Sequence, residues 1–208
     1  MDIKRMVTEA YDSQAEEYTR LYFNQTEEDI PNIDHFISYL VPGGSILDAG
    51  CSSGGLVNYL NGKGFKASGI DISPKMISIA KQKVSQSDFW VMDMAKLDFE
   101  DESFDGIMAM HSLIHISSEE MPMVLTEFKR VLKSEGKILI LAEEGEADKI
   151  ISESINCNSK MFLNLFTQER LVNFVEQAGF EILEQYITTL ININDLPGRG
   201  IYIIARKP

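Results

Sequence analysis

Short apolar runs alternate with amphipathic stretches through most of this chain. Ser45–Asp48, Lys66–Ile70, Asp88–Met92, Phe104–Met110 and Lys137–Leu141 show the compact apolar pattern of strands buried on both faces. Between them, residues 54–63, 74–85 and 119–132 have helical spacing. Ser73-Pro74 offers an N-cap followed by proline at the first helical position, and Ser117-Ser-Glu-Glu120 reads as a capping box. Two more helices, 3–22 and 31–40, are predicted before Pro42, and another over 168–178, closed by Gly179. The stretch after residue 142 is acidic and reads as irregular. Phe180–Thr189 and Gly200–Arg206 read as strands joined by the turn-rich Asn192–Gly198, an antiparallel hairpin at the end of the sheet. The alternation predicts an α/β fold with a doubly wound, largely parallel sheet and right-handed crossovers.

The 208 residues are enough for one domain with a two-sided core, and 44% hydrophobic with 25% charged residues is ordinary for a globular protein. No apolar run is long enough to span a bilayer, and Met1–Met6 lacks the layout of a secretory signal. Cys51 and Cys157 cannot build a disulfide framework. Together these features lead us to expect a cytoplasmic protein. The net charge of -13 is spread along the chain and repels phosphate backbones, so neither nucleic acid nor membrane is expected as partner.

The most informative segment is Ile46-Leu-Asp-Ala-Gly-Cys-Ser-Ser-Gly-Gly55. A strand ends in Asp48, turns through small residues and enters a helix whose first N–H groups point outward. Such a turn cradles a nucleotide-like ligand at the carboxyl end of an open sheet. The dinucleotide fingerprint, aligned on Gly50, would demand glycine where Ser52 stands. The second strand ends in Asp71, whose two carboxylate oxygens suit paired ribose hydroxyls. The third leads to Asp93 and Met94, an acceptor for an exocyclic amine beside padding for a purine face. The fourth ends at Met110-His111-Ser112.

Asp48–Gly54, Gly69-Ile-Asp-Ile-Ser-Pro74, Met92-Asp-Met94, Ser103-Phe-Asp-Gly106 and Lys129–Gly136 resemble, in order, the class I S-adenosylmethionine-dependent methyltransferases. The likeness spans about residues 8–207 and is greatest to the small, metal-independent branch of the type 11/25 kind. Ala178-Gly-Phe180, Tyr202–Arg206 and Tyr11–Tyr18 are also similar to that branch, whose first helix folds over the site. The resemblance implies a Rossmann-like seven-stranded sheet of order 3-2-1-4-5-7-6 with strand 7 antiparallel. Residues 1–41 would form a helical lid, 42–142 the cofactor-binding core, and 143–208 a substrate-side insert with the terminal hairpin.

It further implies that S-adenosyl-L-methionine is bound, and S-adenosyl-L-homocysteine released, by Asp48, Gly50, Cys51, Ser52, Gly54, Asp71, Ile72, Met76, Asp93, Met94, His111, Tyr11 and Tyr18. The acceptor would be a small molecule taking the methyl group by direct displacement, in a monomer or homodimer. His111 is the candidate base, and His115, four residues on, would share its face if the segment is helical. Each residue has a plainer reading. Asp71 as a turn cap, Asp93 as a surface acid, Tyr11 and Tyr18 as a packing pair, and Cys51 as a small turn residue all remain open. Asp105 reads as structural, and Glu143–Asp148 as a solvated acidic loop or a lure for an amine.

No Asn/Asp-Pro-Pro-Tyr signature, paired-glutamate loop, metal-binding acid cluster or zinc spacing is present. Two other functions stay open on the sequence alone. One is an NAD-type oxidoreductase; the other is a non-catalytic methyltransferase-like binding or regulatory protein.

Overall fold

The computed structural model describes residues 2–24, 29–146, 148–152, 159–189 and 198–208. Cys157 and most of the Asn192–Gly198 connection lie outside them. The elements run α1 (Ile3–Tyr22), α2 (Asp29–Ser38), β1 (Ser45–Ala49), α3 (Gly55–Gly62), β2 (Lys66–Asp71), α4 (Pro74–Lys83), β3 (Phe89–Val91) and β4 (Phe104–Met110). After a single 3-10 turn at Leu113–His115 come α5 (Met121–Val131), β5 (Leu132–Glu143), β6 (Lys149–Ser152), β7 (Lys160–Leu163), α6 (Gln168–Gln177), β8 (Glu181–Thr189) and β9 (Arg199–Arg206).

Seven strands form one sheet in the order β3-β2-β1-β4-β5-β9-β8. β1, β2, β3, β4 and β5 pair in parallel; β9 runs antiparallel to both β5 and β8. With the small β6-β7 pair set aside, this is the order expected from the resemblance, with the antiparallel closing hairpin in place.

The period of two sorts each central strand between two cores. Ile138, Ile140 and Ala142 of β5, with Ile201, Ile203 and Ala205 of β9, join Phe128 of α5 and Leu171 of α6. Leu139, Leu141, Tyr202 and Ile204 point the other way, into Phe36 of α2, Leu60 of α3 and Ile77 of α4. Helices therefore cover both faces, and the carboxyl ends of β1, β2, β3 and β4 are left to build a site.

Three local expectations change. The stretch after residue 142 is not simply irregular, because β6 and β7 form an antiparallel pair, Lys149 facing Leu163 and Ser152 facing Lys160. β5 starts five residues earlier than its apolar run, turning through Glu135 at φ 62 before Gly136. The capping box is half made: Ser117 Oγ accepts the Glu120 N–H at 3.3 Å, but the Glu120 carboxylate turns to Lys4 Nζ at 2.5 Å. Ser73 does cap α4, accepting from the Met76 N–H at 3.1 Å.

Asp105 has the structural role read from sequence. Its Oδ2 accepts from the Ser45 N–H at 2.8 Å, the Ser45 hydroxyl at 2.9 Å and Lys133 Nζ at 2.8 Å, joining the starts of β1, β4 and β5. Burial pushes its carboxyl up, but the Lys133 ammonium and the Ser45 donors outweigh that and hold it below the usual range. A depressed carboxylate contributes stability above its unfolded value and loses it as pH falls through the lower folded one. Asp105→Ala should cost about 2 kcal/mol in urea unfolding at pH 7, and the gap from wild type should shrink below about pH 4. A pH-independent gap would refute the charge-assisted part of this account.

Candidate active site

The turn after β1 folds because glycine and serine accept left-handed backbone. Gly50 has φ 92 and Ser52 φ 49, and the Gly50 and Cys51 N–H groups donate to the Ile70 carbonyl at 2.8 and 2.9 Å. A Cβ on Gly50 would fall 2.4 Å from Ser112 Cβ, so the turn after β4 presses directly on the turn after β1. Gly54, at φ 86, starts α3 and packs on Phe89.

Asp71, at the end of β2, ties two turns together. One oxygen accepts the Ser52 N–H at 2.9 Å and the other the Ser73 N–H at 2.8 Å. It is thus a turn cap, and the carboxylate also lines the cavity described below. Burial pushes its carboxyl up to about 6, against the pull of these backbone donors. Asp48, 3% exposed, is pushed further, to about 8, by burial and then by the charge of Asp71.

A cavity with about 710 Å³ of open space lies above these strand ends. Of the residues singled out in the sequence, Gly50, Ser52, Asp71, Ile72, Asp93, Met94, His111, Tyr11 and Tyr18 line it. Asp48, Cys51, Gly54 and Met76 do not; they are buried outside the wall, Met76 Sδ receiving the Ser52 hydroxyl at 3.5 Å.

α1 covers the cavity. Lys4, Val7, Tyr11 and Tyr18 recur at helical spacing and all face it. Lys4 was missed, although that stripe was legible. Its ammonium bridges Asp93 Oδ2 at 2.6 Å and Glu120 at 2.5 Å, while Asp93 Oδ1 caps the Ala95 N–H at 2.9 Å. Asp12 accepts from the Ser73 hydroxyl at 2.5 Å and the Lys75 N–H at 3.1 Å, fastening α1 to the start of α4. A Cβ on Gly55 would fall 1.8 Å from the Phe23 carbonyl oxygen, so the end of α1 rests against the start of α3.

The two histidines do not share a helical face. His111 sits at φ 54 in a loop, and the helical turn beyond it is three residues long. Both still line the cavity. His111 Nδ1 lies 2.8 Å from Glu143 Oε1. Glu143 is 4% exposed at the end of β5 and its Oε2 has no partner, so it is not part of a solvated loop. Desolvation pulls the His111 pKa down, but the charge and hydrogen bond of Glu143, with Asp29 adding, raise it above its ordinary value.

His115 Nδ1 lies 3.0 Å from the Phe162 carbonyl and Nε2 lies 2.8 Å from the Tyr11 hydroxyl. A carbonyl only accepts, so Nδ1 carries a proton, and Nε2 is hydrogen-bonded to the Tyr11 hydroxyl. The sequence did not connect these partners because they lie on α1, the 3-10 turn and β7.

Residues 47–140 match the family described as a methyltransferase domain. That match, over less than half of the chain, supports the resemblance to the class I S-adenosylmethionine-dependent methyltransferases. The chain is 28% identical over 153 residues to the methyltransferase GfsG of Streptomyces halstedii, covering 68% of this chain and 54% of that one. It is 27% identical over 162 residues to a demethylmenaquinone methyltransferase of Thermotoga maritima, covering 66% and 70%. It thus spans about half the length of the first relative. The solved magnesium protoporphyrin IX methyltransferase of Synechocystis with bound SAM superposes with a TM-score of 0.73 at 20% identity, covering 100% of this chain and 98% of that one. Among the described residues no helix is long and apolar enough to cross a membrane, and no group of three metal-binding side chains occurs.

The contact between Gly50 and Ser112 gives a direct check. Gly50→Ala adds both a strained left-handed alanine and a clash, and should lower Tm by about 5 °C or more. An unchanged Tm would contradict this packing.

Proposed function

We propose that this protein is a methyltransferase that transfers the methyl group of S-adenosylmethionine to a small-molecule acceptor. The observation that carries this reading is Asp71, whose carboxylate braces two turns and lines the cavity wall. A carboxylate there suits the two ribose hydroxyls. Met92, Met94 and Ile72 supply an apolar slot for the adenine, and the Asp93 carboxylate an acceptor for its amine. Gly50 and Ser52 bring the backbone of the turn after β1 to the cavity wall. The residues present therefore fit the group. When bound, S-adenosylmethionine supplies a methyl group on an electrophilic sulfonium.

What the chain adds is placement and a proton acceptor. α1, with Tyr11 and Tyr18, acts as a lid that excludes water and orients the acceptor. Asp48, Cys51, Gly54 and Met76 act behind the wall by shaping the turns. Glu143 fixes the His111 tautomer with the proton on Nδ1, leaving Nε2 to take the proton of an acceptor O–H or N–H. We read the acceptor as uncharged near its nucleophile, because Lys4, Asp71 and Asp93 already have partners.

Calorimetry with S-adenosylhomocysteine tests the core of this proposal. Wild-type protein should bind it, and Asp71→Ala should bind at least about tenfold more weakly. The Asp71 carboxylate, pushed up to about 6, must be ionised to accept hydroxyls, so affinity should fall below pH 6 by about tenfold per unit. Asp71→Asn should lose this acid limb; keeping it would sink the ribose assignment.

A separate measurement needs no acceptor. Because Glu143 raises the His111 pKa, Glu143→Gln should lower the midpoint of the His111 imidazole titration followed by NMR. An unmoved midpoint would rule out the coupling.

A further inference from the structure

The two halves of α1 are held over the cavity in different ways. The carboxyl-terminal half is packed in: Ala10, Gln14, Ala15 and Thr19 are buried, and the helix lies against α4, β7 and the 3-10 turn. Asp12 adds its bonds to the Ser73 hydroxyl and the Lys75 N–H, and Ser13 Oγ lies 3.0 Å from Ser159 Oγ. The amino-terminal half has far less. Of residues 3–9 only Val7 is buried. The Thr8 hydroxyl donates to the Lys4 carbonyl at 2.9 Å and Arg5 pairs with Glu9 at 2.7 Å, both within the helix.

Among the described residues, Lys4 alone in this stretch bonds to another element. Its ammonium lies 2.6 Å from Asp93 Oδ2 and 2.5 Å from Glu120 Oε1, acids that follow β3 and precede α5. Glu120 thereby leaves the capping box at the start of α5 half made. A lone exposed ion pair holds little, but here one cation joins two partly buried carboxylates on separate loops. Lys4 and Val7 both line the cavity, so residues 3–9 are the part of its roof with the fewest bonds to lose on opening.

We propose that α1 opens from its amino-terminal end and that Lys4 is the latch. Its grip on Asp93 and Glu120 holds residues 3–9 over the ends of β3 and β4 and sets how fast a ligand enters and leaves. Residues from Ala10 onward stay docked and serve as the hinge side. The identity of the ligand rests on the S-adenosylmethionine reading above; the latch itself does not.

The test compares the full-length wild type with Lys4→Met, which keeps the apolar stem and the helix propensity but not the charge. Without ligand, backbone amides of residues 7–10 should exchange hydrogen about fivefold faster or more in Lys4→Met, while those of residues 14–20 stay within about twofold. Arg5→Met, which removes a charge paired only within the helix, should leave both sets unchanged. Dissociation of S-adenosylhomocysteine should be about fivefold faster or more in Lys4→Met. Salt raised toward about 1 M should speed it in wild type and not in the variant. Unchanged amides at residues 7–10, or equal acceleration along all of α1, would overturn the latch. Faster amides with an unchanged dissociation rate would overturn the gating. Failure of wild type to bind S-adenosylhomocysteine would remove the cofactor reading instead, and the amides alone would then decide the latch.

Discussion

Everything at this site hangs on one carboxylate. Asp71 accepts the Ser52 N–H with one oxygen and the Ser73 N–H with the other, bolting the β1-α3 turn to the β2-α4 turn across neighbouring strands. Ser52 holds a left-handed φ of 49 that glycine would adopt at less cost, and the Asp71 bond is what compensates for it. With that turn fixed, Gly50 is pressed on Ser112, and the loop after β4 brings His111 to the cavity and against Glu143. The Ser73 side is fixed as well, since its hydroxyl meets Asp12 and so registers α1 over the cavity. A single acceptor with four lone pairs thus sets the positions of two strand ends, two helix starts and a covering helix.

Coupling structure to charge has a further effect. Asp48 and Asp71 are both pushed up by burial, and the charge of one raises the other. Asp48 is therefore raised further than Asp71 and keeps its proton to higher pH. Two neighbouring acids thus stand in different surroundings, Asp48 buried behind the wall and Asp71 lining the cavity.

The frame of the fold was legible because its signals are local. Buried strands announce themselves as apolar runs, and Ser73-Pro74 marks the start of α4 in two adjacent residues. The strand-end acids were legible too, since position at a carboxyl end follows from order along the chain. What escaped was set by contacts between distant segments. Glu143 read as the first residue of an acidic loop, yet β5 runs through it and buries it against His111, 32 residues earlier. Nothing local marks Lys4, whose role comes from α1 folding back onto Asp93 and Glu120. β6 and β7 lack the length and apolarity of the core strands, and their pairing depends on α1 and the 3-10 turn beneath them.

The bond from Phe162 to His115 to Tyr11 has a consequence for how this scaffold diversifies. α1 and the segment leading through β7 are separate in the chain yet share this relay and the Ser13–Ser159 contact. A change in the helix that alters Tyr11 leaves a nitrogen in the opposite wall unmatched, and a change in the hairpin shifts the ring on which Tyr11 rests. Neither segment can be exchanged alone without breaking the seam. A substitution on one side of the seam is therefore tolerated only with a matching one on the other, while the strand ends beneath are untouched.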